Sequence, residues 1–488
     1  MKKIIKPLST IIIFTIIFSL ILTGCTPSPV EESAQTASPA ESTQAQETNE
    51  QAEVSESSAS GSADIASMVQ ECSSLSGTDA LAYFESLASK GLTDDEIMQF
   101  FIGLPVSQAN EDIYNLYQEE GFESYGASYP KPNPYNNFIW EKGSGTEIVG
   151  EFSKNSLKLP FTDYVPIEGT TIGDPNKTYT IGVAFHGFSH PWLINWADAA
   201  KYAADQFTNV KTIFLDAEFD NNTMATQIDT LIAQKVDGIL VWPMVEAPTG
   251  PPIERALVAG IPVVTSDRLS GATDVSARIT GNFPANGAQT GMYLVWKLAQ
   301  ENNGNVAGNV VMLRKPLGST ADAVRTGHFL KVISYFPDIE ILQSYHDTDS
   351  REEAFVNAQT ALQAYPNIDA FFGTGDHEAL AAYEAVVAAN RLDSREGGKK
   401  IIFLSIDDSK EAVTQVKDGN FEVNTPYTPL QSDIAMRVLL EIVSGEQMPQ
   451  DVTTPNIPMV TTNGDIIFGL QSQKPDEWYE YTFGPPIS

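Results

Sequence analysis

Between Lys177 and about residue 470 the chain alternates short, nearly continuous apolar runs with longer stretches whose apolar residues recur every three or four positions. Tyr179 to Phe185 reads as a strand, and Leu193, Trp196, Ala197, Ala200, Ala204 and Phe207 then mark one helix face. Val210 to Leu215 is a second strand, ended by Asp216, and Met224, Ile228, Leu231 and Ile232 form a helix stripe behind an Asn222 cap. Strands over 238–242 and 261–266 flank a short helix over 252–259. After Asn282 the pattern restarts, with helices predicted over 285–300, 321–335, 351–364, 377–390 and 410–418 and strands over 309–313, 339–345, 369–373 and 400–405. Strands alternating with helices predict βαβ units around a parallel sheet. Their near-continuous apolar character fits a sheet covered on both faces. The restart predicts an α/β chain of two doubly wound parallel-sheet lobes, whose sites lie beyond the carboxyl ends of the strands.

The first residues follow a different pattern. Lys2, Lys3 and Lys6 precede an apolar run, Ile11 to Leu22, which ends in Leu22-Thr23-Gly24-Cys25. Such a short run with a basic start and small residues at its end reads as a cleaved export signal over 1–24. Thr26 to Ser62 holds no Lys, Arg or aromatic residue and carries Glu31, Glu32, Glu41, Glu47, Glu50, Glu53 and Glu56. That composition cannot bury enough apolar area to offset chain entropy, so 25–62 is expected to be a disordered acidic tether. From Ala63 helical spacing begins: Ile65, Met68 and Val69, then Ala80 to Phe84 with Leu87, then a capping box Thr93-Asp94-Asp95-Glu96 before Ile97, Phe100 and Phe101. Asp112 to Glu119 is a fourth candidate helix, and Pro130, Pro132 and Pro134 break the chain beyond it. Residues 63–125 are thus a small helical module, expected to pack as an appendage on the main body, and 126–176 an extended connector.

Charge and composition narrow the function. Asp and Glu number 63 against 29 Lys and Arg, a net charge of −34. A polyanion of this kind has no broad basic face to displace counterions from a phosphate backbone, so no nucleic-acid partner is expected. Two cysteines cannot make a disulfide framework or a Cys-rich zinc site. Phosphate-cradling, nucleophile-elbow and HExxH motifs are missing, so no enzymatic activity and no cofactor are expected. His186 and His190 stand four apart, a chelating spacing on a helix, but they precede Pro191 in a turn, so no metal is assigned to them.

The turns after the predicted strands concentrate polar and aromatic residues: His186 to Trp192, Trp242-Pro243 and Asp267-Arg268 in the first half, and Arg325, Asp349, Gly375-Asp376 and Asp407 in the second. A cleft that gathers Trp, Asp and Arg suits a polyol, whose C–H faces pack on rings while its hydroxyls bond carboxylates and guanidinium groups. Trp196 belongs to the helix stripe and is expected in the core. His377-Glu378 reads as a helix cap or exposed turn.

Two resemblances follow from these motifs. Leu22 to Cys25 resembles the bacterial lipoprotein lipobox, which implies lipidation of Cys25 and anchorage to the outer face of the cell membrane; Cys72 is then a free, buried thiol. Lys177 to about Asp465 resembles the type I periplasmic sugar-binding proteins of the ribose and galactose class. IGVAFHGFSHPWL, LIAQKVDGILVWP, AGIPVVTSDR, STADAVRTGHF, YPNIDAFFGTGDHEALAAYEAV and IIFLSIDD carry the likeness in order. The resemblance implies two lobes joined by a three-crossing hinge, near Asn282-Phe283, Tyr427-Thr428 and Ile457-Pro458. One lobe comprises 178–282 with 428–457, the other 283–427 with 458–470, and 471–488 is a tail. It implies a ligand set of His190, Trp192, Trp242, Asp267, Arg268, Asn282, Arg325, Asp349, Asp407 and Tyr427. The family often has Asn where this chain has His190, Trp242 and Gly375, so Asp376 or a bulkier ligand is expected to fill the space at Gly375. The function implied is capture of a sugar or polyol by a monomeric, lipid-anchored ABC-transporter binding protein and its delivery to a permease. The alternative is ligand presentation to a membrane histidine kinase or chemoreceptor.

Overall fold

The computed structural model describes residues 59–128, 170–188, 191–429, 431–454 and 457–477. The predicted signal segment, Cys25, nearly all of the predicted tether, most of the predicted connector and His190 lie outside the described residues.

Five helices come first: α1 (Ala59–Cys72), α2 (Gly77–Ser86), α3 (Asp94–Gly103), α4 (Glu111–Glu119) and α5 (Phe122–Ser128). α1 starts within the stretch read as tether, and α5 runs beyond the limit set for the module at 125. Thr93 and Glu96 form the reciprocal cap of α3: the Thr93 hydroxyl accepts from Glu96 N, and the Glu96 carboxylate accepts from Thr93 N at 2.9 Å. The module is more than an appendage. Phe84 is fully buried and meets Tyr335, Phe336 and Phe468 edge-on at 6.0, 5.9 and 5.5 Å. Asn110 donates from Nδ2 to Phe336 O and Ile339 O at 3.0 and 2.8 Å while its Oδ1 caps α4. These helices and the second lobe therefore share one hydrophobic core.

The first sheet is built from β1 (Tyr179–Phe185), α6 (Pro191–Asp205), β2 (Val210–Asp216), α7 (Asn221–Ala233), β3 (Gly238–Val241), α8 (Glu246–Val258), β4 (Val263–Ser266) and β5 (Ala277–Thr280). The chain then crosses into α9 (Phe283–Glu301), β6 (Ala307–Arg314), α10 (Thr320–Ile333), β7 (Asp338–His346), α11 (Arg351–Ala364), β8 (Ala370–Gly373), α12 (Asp376–Ala388), β9 (Ile402–Asp407), α13 (Lys410–Lys417) and β10 (Val423–Pro426). It returns for α14 (Gln431–Ser444) and β11 (Asp451–Thr453), and crosses again to β12 (Val460–Thr461). Strand order is β11-β5-β4-β3-β1-β2 in one sheet and β12-β10-β9-β8-β6-β7 in the other. All pairings within these two sheets are parallel except β10–β12. The chain thus has the two parallel-sheet lobes and three crossings expected of it.

Two predicted details are corrected. The cap of α7 is Asp220, whose carboxylate accepts from Thr223 N, rather than Asn222. α8 begins at Glu246, six positions before the predicted start, with Pro251 and Pro252 inside it. Proline lacks the amide donor and normally marks a helix start, which places the predicted start too late.

Candidate ligand-binding site

Strand register brings the site together. Ala184 pairs with Val241 and Val241 with Thr265, so the residues following β1, β3 and β4 emerge side by side. In the second sheet Pro426 pairs with Asp407, which sets Tyr427, at one crossing, beside the end of β9. Asp267, Asp349 and Asp407 hold positive φ of 71°, 62° and 114°. Non-glycine residues there are strained, most of all at 114°, and persist where surrounding structure over-determines them, typically at functional sites.

Asp267 is the centre of a satisfied network. Its Oδ2 accepts from Trp242 Nε1 at 2.7 Å, and its Oδ1 accepts from the Tyr427 hydroxyl at 2.7 Å and Gln431 Nε2 at 3.1 Å. Trp192 Nε1 donates to Tyr427 O at 2.6 Å, and the two rings stack at 5.6 Å. From the other lobe Arg325 donates to Asp407 Oδ1 at 2.6 Å and to Thr374 O at 2.7 Å, and its guanidinium lies 4.7 Å from the Tyr427 ring centre. Arg268 donates to Met244 O at 2.7 Å and reaches across the lobes to Asp349 Oδ2 at 3.3 Å. Burial raises the Asp267 carboxyl, against the pull of Arg268 and Tyr427. Burial acts the same way on Asp349, but Arg268 and Lys315 more than offset it and hold that carboxyl well below its usual range.

Trp192, Trp242, Asp267, Arg268, Arg325, Asp407 and Tyr427 line one small cavity of ≈ 20 Å³. A cleft of ≈ 1010 Å³ opens beside it, lined in part by Trp192, Asp349, Asp376, His377 and Asp407. Asn282 does not join the cavity lining; its Oδ1 caps α9 by accepting from Ala285 N at 3.1 Å. His190 lies outside the described residues. His186 is fully buried with its ring 4.1 Å from that of Trp242, and burial lowers its pKa to about 3, with Arg268 adding to the shift, so it stays neutral. Trp196 is buried in the first lobe's core, donating to Ser266 Oγ at 3.2 Å.

Five residues were missed or misplaced. Lys315, directly after β6, lines the cavity with its ammonium 3.5 Å from Asp349 Oδ1 and 3.8 Å from Asp407 Oδ2. It occupies the space assigned to Asp376 or to ligand: a Cβ on Gly375 would meet Lys315 Nζ at 2.5 Å. Asp376 instead turns its carboxylate to Asn424 Nδ2 at 2.7 Å and to Asp408 N at 3.1 Å. Gln431, in the first turn of α14, orients Asp267. His377 and Glu378 are buried against Asp347 and Lys315, not exposed. The position of Lys315 at a strand's carboxyl end was the available signal.

Residues 181–447 match the periplasmic binding protein domain, more than half the chain, and the chain belongs to that family. It is 24% identical over 280 residues to the ribose import binding protein of Bacillus subtilis (strain 168), covering 57% of this chain and 86% of that one. Among solved structures, a protein from Mycobacterium smegmatis in complex with β-D-fucofuranose superposes with a TM-score of 0.53 at 25% identity, covering 57% of this chain and 90% of that one. The fructose-binding periplasmic domain of a hybrid two-component system gives a TM-score of 0.52 at 26% identity, covering 58% and 91%. The family is one of extracytoplasmic solute-binding proteins.

Proposed function

We propose that this chain is a lipid-anchored, monomeric binding protein that captures a sugar or polyol between its lobes and delivers it to an ABC permease, with no catalytic step. The observation that carries the reading is the Asp267–Trp242–Tyr427 network facing Arg325–Asp407 across the cleft. Asp267 Oδ2 and the two Asp407 oxygens keep acceptor capacity beyond their intramolecular bonds, and Trp192 and Trp242 line the cavity with ring surface for C–H groups. Ligand that touches both lobes binds the closed form better than the open one and shifts the population toward it. The relatives that bind ribose and β-D-fucofuranose support a furanose- or pyranose-sized ligand.

The second reading is ligand presentation to a sensor kinase, favoured by the likeness to a fructose-binding domain of a two-component system. A thermal-shift screen of monosaccharides, polyols and nucleosides tests the binding reading, since ligand at a hundredfold over its dissociation constant adds roughly 2.7 kcal/mol. No shift with any sugar or polyol would sink it. A deletion strain that loses uptake but keeps ligand-induced transcription separates transport from sensing.

A further inference from the structure

The geometry points to a second site: Asp347, Asp349, His377 and Glu378 form a pocket for one divalent metal ion beside the ligand cleft. The four come from two places, the turn after β7 and the first turn of α12. Each offers one ligand atom, and these atoms all lie within 4.8 Å of one another. Metal–ligand bonds of roughly 2.0–2.4 Å place opposite ligands about 4–4.8 Å apart, so the cluster needs little adjustment to close on an ion.

All four are buried, Glu378 at 0% and Asp347 at 4% exposure. Asp347 Oδ2 and Glu378 Oε2 have no hydrogen-bond partner. A buried charged oxygen without a partner is costly, and three carboxylates packed together multiply the cost. The nearest cation is shared among three carboxylates: Lys315 Nζ stands 3.5 Å from Asp349 Oδ1, 3.7 Å from Glu378 Oε1 and 3.8 Å from Asp407 Oδ2. Arg268 engages only Asp349 among the four. Three carboxylates and one imidazole make a mixed N/O donor set, which suits Mn²⁺ or Zn²⁺ better than the all-oxygen preference of Ca²⁺. Asp349 and His377 also line the ≈ 1010 Å³ cleft, which gives an ion a path from solvent. No linear motif announces this site, because Asp347 and His377 stand 30 positions apart.

The test is calorimetric titration of the untagged full-length chain, stripped with EDTA, with MnCl₂, ZnCl₂ and CaCl₂. No sugar is present, so the outcome is independent of the proposed ligand. One equivalent of Mn²⁺ or Zn²⁺ is expected to bind with a dissociation constant of about 10 μM or tighter and to raise the melting temperature. The double variant Asp347→Asn, Glu378→Gln should lose that binding yet melt in EDTA like the parent. His377→Gln, which keeps every carboxylate, should weaken Zn²⁺ by about tenfold or more and Ca²⁺ less. The site is refuted if none of the three ions binds at about 1 mM, or if His377→Gln and the double variant both bind Zn²⁺ with parental affinity.

Discussion

Arg268 of the first lobe and Asp349 of the second form an ion pair at 3.3 Å, with side chains only 4% and 1% exposed. Nearby, Leu269 N donates to Thr320 Oγ1 at 3.2 Å, and the Thr320 hydroxyl donates to Glu246, so the cleft is held shut by the chain's own polar groups. Opening must break a desolvated charge pair and rehydrate both partners. Removing one partner of such a pair leaves the other buried and uncompensated, which costs about 3–5 kcal/mol in a closed core. Here the lobes can part instead, and Lys315 still attends Asp349.

Arg268→Gln is therefore expected to favour the open form rather than to unfold the chain. Small-angle scattering should give a larger radius of gyration without ligand, with the melting temperature little changed. An unchanged radius together with a large drop in melting temperature would show that the pair is a core element and not a clasp.

Asp267→Ala and Arg325→Ala should each weaken ligand binding by roughly 10- to 150-fold, the effect of losing about 1.5–3 kcal/mol of charge-assisted hydrogen bonding. Trp192→Ala should act similarly by loss of stacking. Trp196→Ala should instead cost about 3–5 kcal/mol of stability while folded molecules still bind. Titration with the sugar found by screening checks the set. Normal affinity in both Asp267→Ala and Arg325→Ala would overturn the two-lobe clamp.

The split between Trp192 and Trp196 was legible in the chain because helical spacing separates a stripe residue from one at the helix's first turn. Asp267, Arg325 and Asp407 were legible because they sit next to strand ends or follow family motifs. Lys315 also follows a strand end and was passed over; what admits its side chain to the site is the missing side chain of Gly375, 60 positions away. Asn282 misled for a local reason: an Asn before a helix satisfies the free amides of its first turn, and here that role takes Oδ1. α14 was overlooked although its apolar residues recur at helical spacing opposite Asp433, Arg437 and Glu441, and Gln431 was lost with it.

Burial pushes the Glu422 carboxyl up from 4.5 to about 7, with Lys297 opposing. The folded chain then holds this proton more tightly than the unfolded chain, so stability falls as pH rises from about 4.5 to about 7. Glu422→Gln keeps an acceptor for Phe403 N and removes the titration. Urea denaturation should show the variant gaining on the parent at pH 8 and matching it near pH 4. Equal gains at both values would mean that the carboxylate's charge plays no part.

The proposed lipid anchor at Cys25 predicts that Cys25→Ser moves the protein from the membrane fraction to the medium with its ligand affinity intact, because the variant would lose the sulfur that carries the acyl chains. Retention of the variant in washed membranes would rule out Cys25 as the anchor.

Phe84 decides whether the N-terminal helices are a separate domain. It packs on Phe101 of its own module at 4.9 Å and on Tyr335, Phe336 and Phe468 of the second lobe at 5.5–6.0 Å. Truncating a buried phenylalanine to alanine costs about 3–5 kcal/mol through lost transfer energy and the cavity left behind. If the module were an independent unit, that loss would appear as an early transition of its own, with the lobes melting as before. A shared core couples the two, so Phe84→Ala should lower the main transition itself, with calorimetric and van't Hoff enthalpies changing together. Differential scanning calorimetry distinguishes the cases: a new low-temperature peak beside an unmoved main peak would detach the module from the second lobe.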